Sequence, residues 1–360
     1  MQQPLNNLPA AYSLPVLGEL CQFCRIEALY TSLADSAGKI AADKDLCQYA
    51  CSLYDDFINK TNSFACYPRP FDKLRENADH IFFLTVLSAL PVALERYRKQ
   101  GTPEEIIAAT LDFSNLKTTG LQPVQLNYCR RYYRADIYRL GRFHFTLTGS
   151  KRNLPALLIN KSDRSQKILL ANDQTLYDED GFMNTATPVW IARCTIADNK
   201  IQGHVINPDG TVRREQTVFD LTEWSLQYGA RELIDMHIPA GGGMTPELSK
   251  TSLQKAFEFF GSKYQVIFCD SWIFNPDLRN LAGTGNITSL SQMGSLFTTD
   301  STGKDGMFFL FGTESDDLTR LPRNTTLQRS VINFMQRGGK LRSSGIFFYA
   351  DEILQPTQGV

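Results

Sequence analysis

The stretch Asp235-Met236-His237-Ile238-Pro239-Ala240-Gly241-Gly242-Gly243-Met244-Thr245-Pro246-Glu247-Leu248 decides how the chain is read. A strand over Leu233–Ile238 runs into a glycine-rich loop, and Thr245-Pro246 then opens a helix. The threonine side chain accepts a free first-turn N–H, and proline suits the first helical position. The helix carries the apolar stripe Leu253, Ala256, Phe257 and Phe260 and stops at Gly261. Three glycines without Cβ atoms let the backbone come close to an anion. The helix N-terminus adds a partial charge of about +0.5. Residues 240–245 therefore read as a cradle of amides for a phosphate or pyrophosphate. No Gly-Lys-Thr/Ser follows and no G-x-G-x-x-G is present, so neither nucleotide fingerprint applies.

The next strand ends in Phe268-Cys269-Asp270-Ser271-Trp272. Polar groups at the carboxyl end of an α/β strand face the ligand crevice, which would gather Asp235, His237, Asp270 and Ser271 around one cleft. An imidazole at His237 suits proton acceptance near neutral pH. Two plainer roles stay open: a hydrogen-bonded structural histidine, and a Ser271 that only caps the segment after it.

Outward from this stretch the period changes twice. Residues 12–118 read as helical, with helices over 80–100 and 103–112. Arg96, Arg98, Lys99 and Gly101 mark the end of the first, and Thr102-Pro103-Glu104-Glu105 forms a capping box for the second. After about residue 135 the period becomes two. Strands are expected at Phe143–Leu147, Ala156–Ile159, Lys167–Ala171, Val189–Ile196 and Ile201–Ile206, punctuated by Asp198-Asn199 and Asn207-Pro208-Asp209-Gly210. Residues 231–349 mix both types, with strands at 233–238, 266–269, 307–311 and 345–349 and helices at 246–260 and 325–337. The expected class is α+β: an all-helical domain over 1–130, then a mixed, largely antiparallel sheet flanked by helices over 131–360.

Lysine plus arginine, 37, nearly cancels aspartate plus glutamate, 38, so no global field attracts nucleic acid or an anionic membrane. The longest apolar run, Ile81–Leu94, is broken by Thr85, Ser88 and Pro91 and falls short of the ~20 residues of a membrane span. It reads as a buried helix. The N-terminus lacks a basic start and an apolar core, and the cytoplasm is the expected location. Cys21, Cys24, Cys47 and Cys51 have spacings that zinc would accept, yet they lie on or beside apolar helical stripes; core packing is expected, and no metal. Arg130, Arg131, Arg134, Arg139 and Arg142, interleaved with Tyr128, Tyr132, Tyr133 and Tyr138, read as the outer face of an inter-domain helix.

His237-Ile238-Pro239-Ala240, Thr245-Pro246-Glu247, Ser271-Trp272, Pro276, Gly285-Asn286-Ile287 and Leu327-Gln328-Arg329 together resemble a bacterial family of acyltransferase-domain proteins. The Tyr138-Arg139-Leu140-Gly141-Arg142 core of 132–147 is similar to the same family. Its members join a helical N-terminal domain to a GNAT-like C-terminal domain. The resemblance implies acetyl-CoA or another acyl-CoA as co-substrate, with Ala240, Gly241, Gly242, Gly243, Met244 and Thr245 on its pyrophosphate. It implies transfer of the acyl group to the amine of a small molecule, with His237 or Asp235 taking the proton and Ser271 serving the thioester or the departing thiolate. The usual Gln/Arg-x-x-Gly-x-Gly/Ala loop is replaced by Ile238-Pro239-Ala240-Gly241-Gly242-Gly243. The alternative expectation is a non-catalytic binding or interaction protein that keeps the GNAT-like architecture; turnover separates the two.

Overall fold

The structure, a computed structural model, describes residues 8–60, 64, 67–68, 71–114, 125–148, 154–227, 233–239, 241, 243–282 and 285–355. Two compact units emerge: one of Met1–Leu140, His144–Thr146 and Ile238–Gly241, the other of Gly141–Phe143, Leu147–His237 and Gly242–Val360.

In the first unit, helices α1 (Leu14–Phe23), α2 (Tyr30–Ala42), α3 (Lys44–Asn59), α4 (Phe71–Leu74), α5 (His80–Lys99), α6 (Glu104–Thr110) and α7 (Leu126–Arg134) precede strand β1 (Ile137–Leu140). The apolar run lies in α5, where Ile81 to Leu90 are all buried. The polar residues that interrupt it are satisfied internally: Thr85 Oγ1 donates to the Ile81 carbonyl at 2.8 Å, and Ser88 Oγ accepts the Ala11 N–H at 3.0 Å. Helix α5 is long and apolar enough to cross a membrane, but 72% of its apolar window is buried inside the protein. Cys21, Cys24 and Cys47 are buried and Cys51 partly so, Cys21 and Cys24 within the same helical core. Among the described residues no group of three His, Cys, Asp or Glu is placed to hold a metal ion.

Two local expectations are corrected here. Thr102 does not cap α6: Pro103 takes the N-cap position in an extended conformation (φ −57, ψ 140) and the helix begins at Glu104. Proline sits one residue earlier than the first helical position, so the capping box is out of register. The basic cluster is not one helix face. Helix α7 ends where Ala135 adopts φ +54, Arg130, Tyr132 and Tyr133 are buried, Arg139 lies on β1, and Arg142 lies in the turn beyond it.

Strand β2 (Phe143–Thr148) follows that turn. The second unit then adds β3 (Ala156–Asn160), β4 (Lys167–Leu170), β5 (Leu176–Tyr177), β6 (Trp190–Ile191), β7 (Thr195–Ala197), β8 (Lys200–Ile206), β9 (Val212–Asp220), β10 (Trp224–Gln227), β11 (Leu233–His237), α8 (Pro246–Phe260), β12 (Val266–Ser271), α9 (Pro276–Ala282), α10 (Asn286–Ser291), β13 (Ser295–Thr298), α11 (Met307–Phe311), α12 (Thr326–Gln336), β14 (Ser344–Tyr349) and α13 (Ala350–Ile353). Within it one sheet runs β11-β12-β14-β13 and another β10-β3-β4-β8-β7, with β9 beside β8. The β11/β12 pair is parallel, and the other pairs of known register are antiparallel. Phe268, Phe297, Phe347 and Tyr349 of the first sheet pack with Leu154, Leu157, Ile159 and Leu169 in one apolar cluster. Asp198 and Asn199 both take positive φ, 50° and 57°, which closes the tight β7–β8 hairpin.

The segment expected as one strand over 189–196 is split into β6 and β7. Residues 307–311 are helical, not extended: Gly306 (φ +82) and Gly312 (φ +73) bracket a single turn around Phe308-Phe309-Leu310. Apolar character alone does not separate a buried strand from one helical turn.

Candidate active site

Strand β11 is followed in the chain by the glycine-rich segment, α8 and β12, which pairs parallel with β11. The ladder matches Ile234 with Ile267 and Asp235 with Phe268. Because α8 connects two parallel neighbours, its N-terminus, with residues 243–245 before it, lies toward their carboxyl ends. Thr245, with φ −61 and ψ 155, caps α8 by accepting the Leu248 N–H at 3.3 Å, and Pro246 occupies the first turn. Ser249, Ser252, Leu253, Ala256 and Phe257 form the buried face of α8, and Gly261 (φ +88) ends it. Gly241 uses positive φ, +77°, while at Gly243 an added Cβ would meet nothing within 4 Å. Gly243 is exposed and Met244 and Thr245 are half-buried. Ala240 and Gly242, the remaining residues assigned to the cradle, lie outside the described residues.

Alternation along the strands sorts the proposed chemical groups by face. Asp235 is level with Phe268, and His237 and Asp270 each lie two residues further on, so all four share one side of the sheet. On that side His237 Nε2 lies 3.9 Å from Asp235 Oδ2, with the carboxylate side chain 5% exposed and the imidazole 25%. Asp270 Oδ1 accepts the Thr299 hydroxyl at 3.0 Å. Ser271 falls on the opposite side, an odd number of residues from Phe268, and its Oγ accepts the Ile273 N–H at 3.4 Å to start the 3-10 turn Trp272–Phe274. The structure thus pairs Asp235 with His237, sets Asp270 on the same side of the sheet and Ser271 on the other.

One residue at this site escaped the sequence reading. Arg142 Nε donates to the Gly243 carbonyl at 3.0 Å. The sequence places it in the basic cluster and in the 138–142 core, without reporting that Gly141 directly before it takes φ +75 in the tight turn between β1 and β2.

A mixed sheet and a crossover helix capped at its N-terminus between two parallel strands define an α+β domain, with Asp235 and His237 on the strand that precedes that helix. The chain belongs to the GNAT-like C-terminal domain family, whose model matches residues 137–347. Two solved structures share its fold along nearly the whole chain. One is an acyltransferase in complex with decanoyl-CoA and teicoplanin, 16% identical, with a TM-score of 0.55 over 97% of this chain and 91% of that one. The other is a mutant acyltransferase in complex with octanoyl-CoA, also 16% identical, with a TM-score of 0.54 over the same shares. No curated protein matches the chain.

Proposed function

We propose that this protein is an acyl-CoA-dependent N-acyltransferase acting on a small-molecule amine. The observation that carries the reading is the strand–glycine loop–capped helix–parallel strand unit, β11 to β12, inside a domain of the GNAT-like family. The α8 N-terminus and the backbone amides of Gly243, Met244 and Thr245 would supply positive ends for the pyrophosphate of coenzyme A. The structural neighbours that share this fold are acyltransferases holding octanoyl-CoA or decanoyl-CoA, which supports an acyl-CoA here, and teicoplanin in one of them supports a small-molecule acceptor.

In the reaction the acceptor nitrogen attacks the thioester carbonyl, the C–S bond breaks, and an amide and a thiol leave. The amine proton passes to His237, with the Asp235 carboxylate 3.9 Å away to stabilise the imidazolium, and from the imidazolium to the departing thiolate. Ser271 lies on the other side of the strand and caps the turn after it, so proton transfer is assigned to the Asp235–His237 pair alone.

The experiment is a calorimetric titration of coenzyme A into the wild-type protein and a Gly243→Asp variant, followed by thiol-release assays with acyl-CoA and a panel of amines. The variant adds a carboxylate where a side chain meets no steric obstacle. Binding that the variant loses, with amine-dependent thiol release by the wild type, is the expected result. No binding at millimolar coenzyme A would end the acyltransferase reading, and binding without turnover across the panel would favour the non-catalytic one.

A further inference from the structure

The geometry points to Arg142 as the positioning residue of the cofactor loop, an assignment that rests on the coenzyme A reading above. The turn Gly141–Phe143 belongs to the same compact unit as α8, and three contacts seat it there. The Phe143 N–H donates to Ser252 Oγ at 3.0 Å, and Ser252 is fully buried on the helix. Gly141 approaches so closely that an added Cβ would stand 3.3 Å from the Ser252 Cβ, and its φ of +75 already favours glycine. Arg142 Nε then reaches the Gly243 carbonyl at 3.0 Å, with its guanidinium 5.6 Å from the centre of the Phe143 ring.

The consequence follows from the planarity of the peptide unit. In a trans peptide the C=O and the next N–H point in opposite directions. By holding the Gly243 carbonyl toward itself, Arg142 turns the Met244 N–H the other way and fixes it there. A glycine loop samples many backbone states, and each amide that must be aimed at a phosphate costs ordering entropy on binding. A charged donor on the far side of the peptide removes part of that cost before the ligand arrives. The cation also adds a favourable field for an anion on the loop. Serine at 252, glycine at 141 and arginine at 142 thus act as one device: the first two place the turn on the helix, and the third sets the loop.

The test compares coenzyme A and 3′-dephospho-coenzyme A binding to wild type, Arg142→Ala and Arg142→Lys by calorimetry, with thermal melts of each apo protein. Arg142→Ala is expected to lose about tenfold or more in affinity for both ligands equally, since both keep the pyrophosphate. Arg142→Lys, which retains a charged donor, is expected to recover part of that loss, and the apo melting temperatures are expected to agree within a few degrees. Unchanged affinity in Arg142→Ala would overturn the assignment while leaving the coenzyme A reading intact. A loss confined to the ligand bearing the 3′-phosphate would also overturn it, since the arginine would then be acting elsewhere. Failure of the wild type to bind either ligand would instead remove the coenzyme A reading itself.

Discussion

His237 Nε2 lies 3.9 Å from the Oδ2 of Asp235, and strand alternation puts both side chains on the same side of β11. The pair is within reach of a modest adjustment to hydrogen bonding, and the carboxylate is the more buried partner. Asp235→Asn and His237→Ala are each expected to lower amine-dependent turnover by roughly 10²–10⁴-fold, the usual contribution of a positioned acid–base group. Coenzyme A affinity should change little, because neither side chain belongs to the loop. Equal turnover in wild type and both variants would remove the pair from the mechanism.

Glu247 stands in the first turn of α8, exposed, and is the acidic residue nearest the capped end. Its charge stabilises the free helix through the dipole and opposes an anion at the same end. Glu247→Gln is therefore expected to tighten coenzyme A binding by about two- to fivefold while lowering the melting temperature slightly. Thr245→Ala removes the side chain that accepts the Leu248 N–H and is expected to cost about 1 kcal/mol of stability. Chemical denaturation of the apo protein measures both stability effects.

The signals that were legible in the chain were local and chemical. Thr245-Pro246 and Gly261 gave both ends of α8, because caps need only residues a few positions apart, whereas the capping box expected at Thr102 fell one residue out of register. What stayed illegible depends on partners distant in sequence or on exposure. Strand β9 carries Arg213, Arg214, Glu215 and Gln216 on an exposed strand, so it lacks the apolar alternation that betrays a half-buried one. Arg142 looked like part of a basic helix because nothing in the sequence reports that Ala135 ends α7 or that Ser252, 110 residues beyond Arg142, receives the turn. The sharing of one face by Asp235 and Asp270, and the exclusion of Ser271, needed the β11/β12 register.

Arg342 Nη2 meets Asp178 Oδ2 at 3.0 Å with both side chains 13% exposed, and the guanidinium stacks 3.9 Å from the centre of the Phe182 ring. Asp178 Oδ1 is already occupied by the N–H groups of Asp180 and Phe182. Arg342→Ala would leave a desolvated carboxylate and an uncovered ring, at an expected cost of about 2–4 kcal/mol. Adding Asp178→Asn should recover part of it, and a double-mutant cycle in denaturant measures the coupling.

His80 is buried, with Nδ1 2.8 Å from Ser36 Oγ. Burial lowers its pKa below the ordinary 6.5, against the opposing effects of the Ser32 backbone, Asp79 and Asp35. A folded-state pKa below the unfolded one means the unfolded chain takes the proton first. The contribution is therefore complete above the unfolded pKa and is lost as pH falls through about 6.5 toward the folded value. Melting temperature is expected to drop between about pH 7 and 5.5, and His80→Asn, less stable overall, should show a shallower slope. Parallel slopes would assign the acid sensitivity to other groups.

Strand β14 lies between β12 and β13, yet among the described strands it is the last in chain order. A ribosome therefore delivers the two outer neighbours before the strand that joins them. Until Ser344–Tyr349 emerges, the edge of β12 that will pair with Ile346 and Phe348 has no strand to meet, and Phe268 and Phe297 have no Phe347 between their strands. The β12–β14–β13 part of the sheet is thus completed only once Ser344–Tyr349 has been made, and until then β12 is open to pairing with other nascent chains.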